Sequence, residues 1–187
     1  MKIFDTELPG VKRVEPSVHT DSRGYFFENY QAERYRDFFP DPAQVQDNIS
    51  HSKQHVLRGL HYQLDQPQAK LVSVLQGQVF DVAVDFRTGS PHFGRWVGVL
   101  LDDRKPQQLF IPAGFLHGFL VLSHEAVFSY KCSSFYNPQG DRGVHWSDPQ
   151  IAIQWPIQKT PIVSEKDDAL PLLNEVPVTA RLYYGDL

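Results

Sequence analysis

From Val56 to Phe135 the chain is cut by glycine- and proline-bearing turns into short apolar runs, and that punctuation restricts it to a β fold. Val56-Leu57-Arg58-Gly59-Leu60-His61-Tyr62-Gln63 is the first such run. Residues 70–75 and 78–85 follow, joined by Gln76-Gly77, and read as a hairpin with β-branched residues on both arms. On its second arm Asp81 and Asp85 share a face, opposite Phe80, Val82 and Val84. Strands over 96–101, 108–111 and 116–122 repeat the pattern around Gly89-Ser90-Pro91 and Pro112-Ala113-Gly114, and 126–135 forms the last long strand. Upstream, Lys12-Arg13-Val14 reads as an edge strand, residues 19–24 as a turn cluster and 25–30 as an aromatic strand. Residues 31–39 read as a helix with Tyr35, Phe38 and Phe39 on one side, ended by Pro40 and Pro42. The C-terminal third loosens, with a short helical turn around 164–168. No linker or low-complexity segment divides the chain, so residues 1–187 are expected to form a single all-β sandwich or barrel of the jelly-roll kind, with a few short helices.

Charge narrows the partners. A net charge of −4 disfavours nucleic acid, whose phosphates want a basic face. The single cysteine, Cys132, permits no internal disulfide and fits a reducing compartment. Asp5 interrupts the N-terminus before a signal core can form, and no apolar run is long enough to span a bilayer. The expectation is a soluble cytoplasmic protein with no membrane partner.

The polar residues in the first run are more than packing requires. Strand alternation places Arg58, Leu60 and Tyr62 on one face, and Leu57, Gly59, His61 and Gln63 on the other. Gly59 suits a point where a ligand approaches the backbone. A lone strand histidine is more often a structural group satisfied locally. Arg23 and Glu28 bracket the aromatic strand and are open candidates, while turn chemistry explains Asp21 beside His19 as well as a metal pair would. Gln46-Asp47-Asn48 is either a solvated turn or a set of groups for sugar hydroxyls. His51 and His55 have i, i+4 spacing, but Lys53 lies between them and no glutamate follows the first, so they read as a solvated loop.

VLRGLHYQ, KLV, GQVFDVAVD, GSPHFGRWVGV, IPAGFLHGFLVLS, FSYK, FYNP and SEKD occur in that order. Together they closely resemble the dTDP-4-dehydrorhamnose 3,5-epimerases, over about Asp21 to Asp168. The resemblance implies a cupin-type jelly-roll barrel, a homodimer, no metal and no cofactor, and a dTDP-linked 4-keto-6-deoxy sugar as substrate. Metal-binding cupins carry two closely spaced histidines and a carboxylate, whereas this chain has His61-Tyr62-Gln63 and then a lysine. One histidine with an ammonium is a poor divalent site but a good enolisation site.

By resemblance His61 is the base, Asp167 orients it, Lys70 faces the keto oxygen and Tyr130 returns a proton from the opposite face. Inversion needs groups on two faces, which a histidine and a tyrosine supply. Alone, Lys70 would read as a surface lysine, and nothing singles Tyr130 out from eight tyrosines. The resemblance also assigns Arg23, Arg58 and Lys166 to the diphosphate and sugar, and Glu28, Gln46, Asp47, Asn48 and His117 to further ligand contacts. Tyr136 matches an aromatic that stacks on thymine. Asp141 stands where relatives have glutamate, and the loop before Lys70 is one residue shorter than in some relatives. The implied reaction inverts C3 and C5. Alternatives are a relative that inverts one carbon, or a non-catalytic cupin that binds nucleotide sugars; base, orienting carboxylate and acid together argue against the latter.

Overall fold

The computed structural model describes residues 1–186. Its strands are β1 (Lys2–Asp5), β2 (Lys12–Glu15), β3 (Val18–Asp21), β4 (Gly24–Phe27), β5 (Gln46–Lys53), β6 (Leu57–Gln63) and β7 (Lys70–Gln76). Then come β8 (Gln78–Asp85), β9 (Trp96–Asp102), β10 (Gln108–Ile111), β11 (Phe115–Val121), β12 (Glu125–Cys132) and β13 (Asp141–Gly143). One α-helical turn, α1 (Glu165–Asp168), is the only α element among the described residues.

Two antiparallel sheets face each other, in the orders β1-β2-β10-β7-β12-β5 and β13-β6-β11-β8-β9. Alternation along each strand sends one row of apolar side chains inward. Val72, Val74, Leu109, Ile111 and Phe128 from the first sheet meet Val79, Ala83, Phe115, Phe119 and Val121 from the second. The outer face of the five-stranded sheet is covered by the C-terminal segment through Val144, Ile151, Leu173 and Val176. Tyr35 and Phe39 cover part of the other outer face. This is the cupin-type jelly roll expected.

Several local expectations are corrected. Strands β7 and β8 are not a hairpin: β7 pairs with β10 and β12, and β8 with β9 and β11. At Gly77, φ is +85° and an added Cβ would lie 2.2 Å from the Glu125 carbonyl, so the chain turns a corner between sheets there. Alternation fits a corner as well as a hairpin, which is why sequence could not separate them. Lys12–Glu15 is not an edge, because Ile3 and Phe4 pair beside it in β1. His19 and Thr20 belong to β3, which pairs with β4 through a tight turn, and the aromatic strand stops at Phe27. His51 lies within β5, its Nε2 3.2 Å from Glu125 Oε2.

Residues 31–39 form separate turns, not a helix. The Tyr35 amide donates to the Gln31 carbonyl and the Phe39 amide to Tyr35. Nine residues make a marginal helix on their own. Tertiary packing decides instead: Phe38 stacks on Phe110 at 4.0 Å, and the buried Tyr35 hydroxyl donates to Gln108 Oε1 at 2.9 Å.

Candidate functional site

The site grows from an irregularity in β6. Across the β6–β11 pair, His61 opposes His117 but Arg58 opposes Phe119, so β6 carries one residue more than β11 between those pairs. Such a bulge resets alternation and re-aims side chains. It brings Arg58 onto the cavity wall with His61, where strict alternation had put them on opposite faces. Gly59 makes the bulge possible. Its φ is +115°, and a Cβ there would sit 2.7 Å from both Gly118 Cα and the His117 carbonyl. The next strand and a carboxylate approach Gly59 closely.

That carboxylate belongs to Asp167. Ser164 caps α1, its hydroxyl accepting from the Asp167 amide, and this directs Asp167 inward. Asp167 Oδ1 lies 2.8 Å from His61 Nε2, and Oδ2 accepts from the Gly59 amide at 3.0 Å. Burial pushes the Asp167 carboxyl up, but the hydrogen bond and charge of His61, with the Gly59 amide, hold it below the usual carboxylate range. A carboxylate only accepts, so Nε2 of His61 donates and Nδ1 is left as the atom able to take a proton.

His61, Lys70, His117, Tyr130, Arg58, Lys166 and Asp167 line one cavity of about 520 Å³. A second lobe of about 370 Å³ shares His61, Lys70, Tyr130 and Lys166, and adds Gln46, Asn48, Tyr136 and Asp141. Burial lowers the pKa of the Lys70 ammonium, against the pull of the nearby carboxylates Asp141 and Asp81. Burial raises that of the Tyr130 phenol, so it stays protonated at neutral pH. Asp141 ties Tyr136 and Lys166 together, accepting from the Tyr136 hydroxyl at 2.8 Å and from Lys166.

Three sequence candidates are not in either lobe. Gln46-Asp47-Asn48 lies in β5, not in a turn, so alternation turns Gln46 and Asn48 to the cavity and Asp47 away, where it pairs with Lys131. Arg23 sits on the β3–β4 turn, paired with Asp21, and Glu28 faces Arg34. One residue escaped the sequence reading. Asp81, fully buried, lies 2.9 Å through Oδ2 from His117 Nε2. An acid on the inward face of an otherwise apolar strand was its signal. Among the described residues, no three His, Cys, Asp or Glu side chains group as metal ligands. No helix of the described residues is long and apolar enough to cross a membrane.

The sequence pattern of the dTDP-4-dehydrorhamnose 3,5-epimerase family matches residues 5–175. A dTDP-4-dehydrorhamnose 3,5-epimerase from Neisseria gonorrhoeae is 49% identical over 167 residues, 89% of this chain; the chain spans about half (51%) of that protein's length. The crystal structure of a dTDP-6-deoxy-D-glucose-3,5-epimerase from Legionella pneumophila, in complex with dTDP-4-keto-L-rhamnose, superposes with a TM-score of 0.94. It is 48% identical, with 98% of each chain covered. A 3'-monoepimerase from Streptomyces bikiniensis, in complex with dTDP, has a TM-score of 0.89 at 33% identity, covering 97% of this chain and 92% of that one.

Proposed function

The chain belongs to the dTDP-4-dehydrorhamnose 3,5-epimerase family, and we propose that it inverts C3 and C5 of dTDP-4-keto-6-deoxy-D-glucose through enolates, giving dTDP-4-keto-L-rhamnose. The observation that carries this reading is His61, Lys70 and Tyr130 around one cavity, with Asp167 2.8 Å behind the histidine. Both carbons flank the C4 ketone, so each C–H is acidified by the same carbonyl. His61 Nδ1 takes the proton, and the pair of electrons moves onto O4, where the Lys70 ammonium meets the developing charge. Tyr130 returns a proton to the opposite face; His61 and Tyr130 then exchange protons with solvent. Arg58 and Lys166 supply cations for the diphosphate, and Tyr136 a ring for thymine. Gln46, Asn48, His117 and Asp141 complete the ligand contacts. NMR of the substrate with enzyme in deuterated water tests the reading: deuterium enters at both C3 and C5. Exchange at neither carbon would refute it.

The Streptomyces 3'-monoepimerase favours a second reading, inversion at one carbon. Tyr130→Phe separates the two. Phenylalanine keeps the packing against Phe128 and loses only the hydroxyl. Proton removal by His61 then persists while inversion fails, so singly inverted sugar accumulates after reductive trapping, most visibly through loss at C5. An unchanged product ratio at near-native rate would make Tyr130 a packing residue.

The active form is a homodimer. The β3–β4 hairpin stands outside both large sheets, with Phe26 71% exposed and Tyr25 and Val18 also bare. A two-stranded hairpin is marginal without a surface to pack on. A second copy supplies that surface, and the hairpin then offers Arg23, and Glu28 just beyond it, to the neighbour's cavity. Sedimentation should give twice the chain mass; a stable monomer with full activity would rule this out. The lone buried thiol of Cys132 suits the cytoplasm.

A further inference from the structure

A second histidine–carboxylate pair stands at the cavity wall, with His117 lining it and Asp81 buried behind. His61 and His117 oppose each other on neighbouring strands and so share a face, each with its Nε2 against its own aspartate. Asp81 is the costlier of the two carboxylates. Val79 and Ala83 flank it on the inward face of β8, and Phe119 opposes it on β11, all three in the apolar core. Its Oδ1 is buried with no hydrogen-bond partner among the described residues. A leucine would pack there without that cost.

We propose that Asp81 is a positioning residue for the epimerisation: it fixes His117 with Nε2 as donor, so that Nδ1 accepts from a sugar hydroxyl. The proposal rests on the enolisation reading above. Because a carboxylate only accepts, the 2.9 Å contact assigns the proton to His117 Nε2. Burial holds the Asp81 carboxyl above the usual carboxylate range, a rise that the charge and hydrogen bond of His117, then the charge of Lys70, offset only in part. The dependence is mutual. Lys70 is also faced by Cys132 from β12 and Asp141 from β13, while His61 and Tyr130 line the same cavity. Losing Asp81 removes a carboxylate that, with Asp141, favours the Lys70 ammonium against burial, so Lys70 should lose its proton at lower pH.

The test is Asp81→Asn, with Asp81→Leu beside it, each assayed for turnover, pH–rate profile and Tm. Asp81→Leu leaves the His117 Nε2–H without an acceptor, so its kcat should fall at least about tenfold, and more than in Asp81→Asn, whose amide oxygen can still accept from Nε2. The alkaline limb of kcat/KM should move to lower pH. A merely structural role would change Tm and leave both kcat and that limb in place; this result, or native turnover in folded Asp81→Leu, overturns the proposal. If neither variant folds, the ¹⁵N shifts of the His117 ring in the native protein decide. Protonated Nε2 with bare Nδ1 supports the assignment, and the reverse tautomer overturns it. Failure of the native enzyme to exchange C3 and C5 protons would defeat the enolisation reading instead, and is measured separately.

Discussion

His61→Asn should stop deuterium uptake at C3 and C5 of the 4-keto sugar together, with a loss of about a thousandfold or more in turnover. The asparagine amide cannot take a proton at neutral pH, and no other neutral base in the cavity is backed by Asp167. Nucleotide affinity should hold, because Tyr136, Lys166 and Asp141 are untouched. Asp167→Asn should fall nearly as far, for a reason read from its two hydrogen bonds. The Gly59 amide can only donate, so the asparagine oxygen stays with it and the NH₂ turns to His61. Nε2 must then accept, Nδ1 carries the proton, and the base is in the wrong tautomer; the comparable change in a serine protease triad costs about 10⁴-fold. Isotope exchange by NMR measures both variants. A His61→Asn protein that exchanges at the native rate would remove His61 from the mechanism.

Lys70→Met is expected to lower kcat by about a hundred- to a thousandfold, the range for removing one donor from a developing oxyanion. Methionine has similar length and suits a buried strand position, so the fold should survive. The loss should fall on kcat more than on KM, because the charge on O4 exists only as the enolate forms. Native kcat in a folded Lys70→Met enzyme would show that O4 is stabilised by another group.

Punctuation in the sequence was enough to indicate an all-β sandwich or barrel, because period-2 alternation between glycine and proline turns suits many short half-buried strands. It was the family resemblance of the ordered motifs that added the cupin-type jelly roll and brought His61, Lys70, Tyr130 and Asp167 forward as a set, since on their own Lys70 and Tyr130 did not stand out. Alternation failed where a strand breaks its own period. It put Arg58 and His61 on opposite faces, since the bulge that unites them lies in the register against β11 and leaves only a glycine as its trace. It joined β7 to β8, since which sheet a strand enters depends on partners far away in the chain. It missed the pairing of Asp81 with His117, 36 residues apart. Local sequence fixes which face a side chain takes within a regular strand. Long-range pairing decides which strands meet, and with them which charges share a cavity.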